Sequence, residues 1–207
     1  SLIYRKAFKR NDPEGYAAYL EGVSTGERTM HADVLYPYDI LHQAIREQAA
    51  TEEISLMWES LPDYTQGREN SIVVCDTSGS MTTAYNTSVR PIEVAISLSI
   101  YLAERLVGPY HNRFITFSEE PELQEVVGEN LWERYRNLSR ANWENNTNLL
   151  KVFGLLLQVA VEHQVPAKDM IQKIYIISDM EFDAAINGET NYQAIRGRYE
   201  RAGYAVP

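Results

Sequence analysis

Residues 71–81, "SIVVCDTSGSM", join a short apolar run to a polar loop, and this junction decides the fold. An apolar run rich in β-branched residues and bounded by turn residues is typical of a strand that is buried on both faces. The run stops at Asp76, after which Ser78 and Ser80 follow at two-residue spacing. That spacing indicates either an ordinary turn or a set of oxygen ligands for a hard metal ion.

Strand and helix patterns alternate from this point onward. Further strands are predicted at "RFITF", "LQEVV" and "KIYIIS", with helices from Pro91, near 130–138, from 148 to about 163 and from 192. Only "SEEPE" separates the first two of these strands, which is too short for a crossover, so they should pair antiparallel. The pattern predicts an α/β, Rossmann-like domain, which is a mostly parallel sheet with one antiparallel edge strand and helices on both faces.

The residues before this domain carry only helical patterns. Asp12 followed by Pro13 is typical of a helix start, because aspartate caps the first turn and proline fits its first position. Thr51 can cap another helix in the same way. We therefore expect a helical segment at 1–68 that forms the end of a larger helical region.

A polar, glycine-containing stretch at 63–70 marks the boundary, and the α/β domain is expected at 69–207. The chain opens on Ser1 rather than methionine and closes on "AGYAVP", where an apolar segment begins. We therefore expect a piece of a longer protein, in which the sheet lacks its C-terminal strand or strands.

The composition narrows the classes of partner. The 207 residues carry a formal charge of −10, which argues against a surface built to bind nucleic-acid backbones. The basic stretch "YRKAFKR" at 4–10 is interpreted as the solvated face of a helix. Cys75 is the single cysteine, so no internal disulfide can form, and no stretch has the length of a membrane span. We expect a cytoplasmic protein with no membrane partner.

Three polar signals fall where strands or loops end. Asp76, Ser78 and Ser80 follow the first strand, Thr147 lies in "ENNTNL" before a helix, and Asp179 follows "KIYIIS". Each alone is explained by a turn or a helix cap. If the first and last of the strands are neighbours, however, two carboxylates and three hydroxyls surround one point. Oxygen donors with so few charges predict Mg²⁺ or Mn²⁺ rather than Ca²⁺ or zinc.

The motif "DTSGS", with Thr147 and Asp179 in order behind it, resembles the metal-ion-dependent adhesion site (MIDAS) of a von Willebrand factor A (vWA) domain. The resemblance covers about residue 70 to the end. It implies that Ser78, Ser80 and Thr147 coordinate the metal directly, while Asp76 and Asp179 act largely through bound waters. It also implies an open position that accepts an Asp or Glu carboxylate from a protein partner. The "NNT" before the helix departs from the glycine that many members have there.

The whole chain also resembles a domain-of-unknown-function family numbered 2828, which combines helices with an A domain. That layout is similar to the Ro (TROVE) ribonucleoprotein, in which a helical ring binds RNA beside an A domain. The likeness implies RNA binding only through regions outside this chain.

These observations favour a metal-dependent protein-interaction module that is not an enzyme. One alternative is a Mg²⁺-dependent phosphohydrolase of haloacid-dehalogenase type, with Asp76 as nucleophile. Such enzymes usually need a second acid where Ser78 stands, because a serine cannot serve as a general acid near neutral pH. Another alternative is an accessory domain of a Ro-like RNA-binding protein. The sequence leaves open the partner and the oligomeric state.

Overall fold

The computed structural model describes residues 2–31, 35–65, 69–83, 89–117, 120–140, 149–179 and 189–207. The chain divides into two compact units. The first comprises Ser1–Pro62 with Asn130–Trp132, and the second comprises Asp63–Glu129 with Glu133–Pro207. Across the described part of the chain, no helix combines the length and the apolar character that a membrane crossing requires.

The first unit is helical, as predicted. The described residues of its N-terminal part form the helices α1 (Leu2–Asn11), α2 (Pro13–Ser24), α3 (Pro37–Glu47) and α4 (Glu52–Glu59). The predicted caps are present. The carboxylate of Asp12 accepts a hydrogen bond from the Gly15 backbone N–H at 2.9 Å, and the Thr51 hydroxyl accepts one from the Ile54 N–H at 3.4 Å. These side chains satisfy donors that the first turn of each helix leaves unpaired.

The basic stretch on α1 is only partly a solvated face. Lys6, Lys9 and Arg10 are exposed, in agreement with the interpretation of the sequence. Arg5 instead turns inward, where its Nε lies 2.6 Å from Oε1 of Glu53 on α4. The Glu53 side chain is 6% exposed, so this ion pair joins two helices inside the unit rather than on its surface. The charge pattern along α1 does not distinguish the partly buried Arg5 from its exposed neighbours.

The second unit contains a four-stranded sheet within the described residues. Its strands are β1 (Ser71–Asp76), β2 (Arg113–Phe117), β3 (Leu123–Glu125) and β4 (Lys173–Ile177), in the order β3-β2-β1-β4. β1 pairs in parallel with β2 and with β4, and β3 pairs antiparallel with β2. The predicted architecture, a mostly parallel sheet with one antiparallel edge strand, is confirmed.

The helices after β1 are α5 (Pro91–Arg105), α6 (Leu131–Leu138), α7 (Leu149–Glu162) and α8 (Glu189–Arg201), and α8 begins three residues earlier than predicted. Of these, α5 packs on one face of the sheet, and α7 and α8 pack on the other. Ile72 and Val74 of β1 pack in one core cluster with Leu156 of α7 and Tyr199 of α8. Because side chains alternate along a strand, the intervening residues of β1 point to the opposite face, and α5 packs along β1 there. Two short 3-10 turns, Gly79–Thr82 and Ala167–Asp169, were not predicted.

The burial of β1 generates a stability prediction with an internal control. Val74 is fully buried at the centre of the sheet, whereas Val127 is 56% exposed. Val74→Ala should lower the free energy of unfolding by about 2–3 kcal/mol, because it removes buried methyl groups and leaves a cavity. Val127→Ala should change it by less than about 0.5 kcal/mol. Urea unfolding of both variants measures this, and equal stability would mean that β1 is not the centre of the core.

Candidate metal centre

The carboxyl end of β1 lies where the order of the strands reverses. From β1 the chain passes through α5 to β2 on one side, and it returns through α6 and α7 to β4 on the other side. In open α/β sheets, ligands bind in the crevice at such a switch point. All six residues of β1 are buried, and the last of them is Asp76. The strand therefore delivers this carboxylate to the position where the fold favours a site.

The Asp76 carboxylate is fully buried, and each of its oxygens accepts a hydrogen bond. Oδ1 accepts from the backbone N–H of Ser78 at 2.9 Å, which closes a tight turn. Oδ2 accepts from the hydroxyl of Ser178 at 2.5 Å, immediately after β4. A buried carboxylate is tolerated only when it is paired or hydrogen-bonded. These two bonds therefore tie together the end of β1, the turn behind it and the end of β4.

Ser78 and Ser80 bring their hydroxyls to one point. Their Oγ atoms are 3.0 Å apart, because the 3-10 turn Gly79–Thr82 bends the chain between them. The Met81 N–H donates to the Ser78 carbonyl at 3.1 Å, and the Met81 side chain is buried, which anchors the turn to the core. Thr77 is also buried, and its hydroxyl lies 3.5 Å from the carbonyl oxygen of Phe117 at the end of β2.

The chemistry and spacing of the two serine oxygens fit a small hard cation. Two cis ligands of an octahedral Mg²⁺, each about 2.1 Å from the ion, lie about 3.0 Å apart. The 3.0 Å between the Ser78 and Ser80 hydroxyls is also the distance of an ordinary hydrogen bond between them. The spacing therefore suits two adjacent ligands of a hard cation as well as a hydrogen bond within the turn.

Asp179 lies at the same edge of the sheet. Cys75 pairs with Ile177, so the residue after Ile177 stands beside Asp76 and Asp179 follows one residue later. β1 and β4 are therefore neighbours, which is the condition on which the predicted convergence of the candidate site residues depended. Asp179 is partly buried. Its role as a metal ligand stays a prediction.

Thr147 falls in residues 141–148, outside the described part of the chain, and its place in the site stays a prediction. Within the described ranges, no group of three or more His, Cys, Asp or Glu side chains is arranged to hold a metal ion. The candidate ligands after β1 are mainly serine hydroxyls, which do not belong to the four residue types of such a group.

Ser178 is the residue that the sequence interpretation missed. It lies between the apolar strand "KIYII" and Asp179, and it reads as an ordinary strand terminus. The signal that identifies it is the register, which places it beside Asp76. Once β1 and β4 are known to be parallel neighbours, a hydroxyl at this position is the expected partner for a buried carboxylate.

Cys75 takes no part in the site. Burial raises the pKa of its thiol to about 12, so the sulfur stays protonated and is a poor metal ligand and nucleophile. Its side chain points away from that of Asp76, because neighbouring residues of a strand face opposite sides of the sheet. The candidate site residues that the structure describes, Asp76, Ser78, Ser80 and Asp179, all carry side-chain oxygens.

The fold is an α/β domain with oxygen-bearing side chains at the switch point of a mostly parallel sheet. Residues 70–207 match the family described as "Domain of unknown function (DUF7788)", and the chain belongs to that family. A family of unknown function was expected from the sequence, although under the number 2828.

The chain is also similar to "Uncharacterized protein L728" of Acanthamoeba polyphaga mimivirus, with 30% identity over 205 residues. The similarity covers 97% of this chain and 35% of the viral protein, so the chain spans about a third of that relative. No solved structure matches the chain. The resemblance to a vWA domain therefore rests on the residues themselves.

The bond between Ser178 and Asp76 generates a prediction that is independent of any metal. In EDTA, Ser178→Ala should lower the free energy of unfolding by about 1–3 kcal/mol, because a buried carboxylate oxygen loses its donor. Ser178→Thr retains a hydroxyl and should recover most of that loss. Ser55→Ala, on α4, should change stability by less than about 0.5 kcal/mol. Chemical unfolding of the three variants measures the effect, and an unchanged Ser178→Ala would contradict the bond.

Proposed function

We propose that this chain is a metal-dependent protein-interaction module with a MIDAS-like site. The site takes Mg²⁺ or Mn²⁺ at the carboxyl end of β1, with Ser78, Ser80 and Thr147 as direct ligands. Asp179 acts through a bound water, as in the vWA domains that the motif resembles, while Asp76 orients the turn of Ser78 from inside the protein. An open position on the ion then accepts an Asp or Glu carboxylate from a partner protein.

The observation that carries this proposal is the pair of serine hydroxyls, 3.0 Å apart, beside a buried carboxylate at the switch point. Two hydroxyls at this spacing can serve as adjacent ligands of an octahedral cation once their mutual hydrogen bond is replaced by bonds to the ion. The position of β4 beside β1 adds support, because it brings the loop of Asp179 to the same edge of the sheet.

The environment of Asp76 indicates that this residue orients the turn and is not a nucleophile. A nucleophilic carboxylate must present an oxygen to its substrate. Both oxygens of Asp76 accept hydrogen bonds inside the protein, and the residue is 0% exposed. This arrangement favours a carboxylate that orients Ser78 and the turn, and so it favours the binding module over a phosphohydrolase.

The choice of a carboxylate partner follows from charge. Neutral hydroxyl ligands leave a divalent ion with most of its positive charge, which an anionic oxygen from outside would compensate. The chain itself has a net charge of −10, so an acidic partner is repelled by the protein as a whole. Binding of such a partner would therefore depend strictly on the ion.

The first test of this function is metal binding by the full chain. Titration calorimetry should show Mg²⁺ and Mn²⁺ binding to the wild type. Ser80→Ala and Asp179→Ala should each weaken it by about tenfold or more, since each removes a ligand or its water contact. The matched controls are Ser55→Ala on α4 and Asp169→Ala, which precedes β4 and lies toward its amino end.

Circular dichroism should show the same helix and strand content in all four variants. Two results would contradict the metal site. One is an absence of binding by the wild type at millimolar metal. The other is equal affinity in wild type, Ser80→Ala and Asp179→Ala.

The second test concerns the open position on the ion. With Mn²⁺ bound, water-proton relaxation should report exchangeable waters on the ion, and a short peptide with one central glutamate should displace part of that signal. The same peptide with glutamine should have a much smaller effect, because it lacks the charge that the ion attracts. A signal unchanged by the glutamate peptide would mean that the ion has no accessible position, and the interaction function would fail while the metal site stood.

A further inference from the structure

The helical unit contains a groove that the proposed metal function does not use. Its volume is about 610 Å³, within the usual size range of small-molecule sites. One wall is the polar side of α3, with Tyr38, His42 and Arg46 at four-residue intervals, and the other is formed by Arg5 and Lys6 of α1. The opposite side of α3 is the apolar one that packs into the unit.

Arg5 is held in a fixed position at this groove. Its side chain is 16% exposed, its Nε contacts the buried Glu53 at 2.6 Å, and its Nη1 donates to Gln43. Its Nη2 lies 3.5 Å from Glu47, whose side chain is 41% exposed. A guanidinium carries five N–H donors, so these contacts orient the group without using all of its donors. The pair with Glu47 is long and exposed, and such pairs contribute little to stability.

The lining of the groove carries three cations, Arg5, Lys6 and Arg46, and two carboxylates, Asp39 and Glu47, and Arg5 also pairs with Glu53 behind it. Lys6 and Arg46 are exposed, and among the described residues neither has a carboxylate partner. The other acid of the lining, Asp39, accepts a hydrogen bond from the Tyr36 backbone N–H at 3.0 Å and so caps α3. An incoming anion therefore meets one pre-oriented guanidinium and two cations without carboxylate partners, in a chain that is otherwise strongly acidic.

We propose that this groove binds a small molecule that carries a phosphate group. The phosphate replaces Glu47 as the outer partner of Arg5 and is flanked by Lys6 and Arg46. Guanidinium groups bind phosphate oxygens through charge-assisted hydrogen bonds, and an orientation fixed in advance lowers the entropic cost of binding. The rings of Tyr38 and His42, with centroids 5.5 Å apart and planes tilted by 32°, give the groove an aromatic wall for the rest of the ligand. The size of the groove and the net charge of −10 favour a small ligand over a nucleic acid.

The experiment is a titration of the full chain with inorganic phosphate and with phenyl phosphate, followed by amide chemical shifts. The chemical shifts of α1 and α3 amides should change. Phenyl phosphate should bind more tightly than phosphate because its ring contacts the aromatic wall formed by Tyr38 and His42. Lys6→Gln and Arg46→Gln should each weaken binding by about tenfold, the usual effect of losing one charge-assisted hydrogen bond. Lys9→Gln is the matched control, since Lys9 lies exposed on α1 and does not line the groove.

Three results would overturn the inference. The first is an absence of shifts in α3 at tens of millimolar phosphate. The second is an equal loss of affinity in Lys6→Gln and Lys9→Gln, which would indicate attraction by the general charge of α1. The third is much tighter binding of a single-stranded oligonucleotide with a steep salt dependence, which would identify a nucleic-acid surface instead.

Discussion

A buried carboxylate at the end of the central strand is the constraint on which the functional end of this domain depends. A carboxyl group buried as fully as that of Asp76 is costly unless its oxygens are hydrogen-bonded. One oxygen is satisfied by the Ser78 N–H, which requires a tight turn, and the other by the Ser178 hydroxyl, which requires β4 to lie beside β1. This turn also sets the separation of the Ser78 and Ser80 hydroxyls. A single charged group thus links sheet order, loop path and ligand geometry.

The helical unit follows the same rule with a different pair of charges. Arg5 on α1 and Glu53 on α4 neutralise each other inside the unit. Burial, reinforced by a hydrogen bond to Glu53, raises the pKa of Tyr16 well above its usual range, so its phenol stays protonated and remains a donor. Arg5 thus contacts Glu53 inside the unit and still directs guanidinium N–H donors toward the groove. In both units a buried acidic side chain therefore lies behind the surface that we propose as a binding site.

Local patterns predicted most of the elements because each pattern reports on chain geometry within a few residues. Proline after an N-cap marked the start of α2, β-branched residues marked β1, and the short link after β2 predicted its antiparallel neighbour. The motif of Asp76, Ser78 and Ser80 was visible for the same reason. The misses were features that depend on distant partners, namely the inward turn of Arg5 and the bond from Ser178 to Asp76.

The sequence by itself determined the fold class, the presence of oxygen-bearing side chains at the candidate site and the two-residue spacing of Ser78 and Ser80. These are properties of residue type and short-range spacing, which no tertiary contact can alter. Only the tertiary structure decided which strands are neighbours and that Ser178 is the partner of Asp76, 102 positions away in the chain. It also decided that Arg5, rather than Lys6, turns inward to pair with Glu53. The physical reason is that register and burial are settled by packing between elements, where one position along a strand or one step around a helix separates a buried side chain from an exposed one.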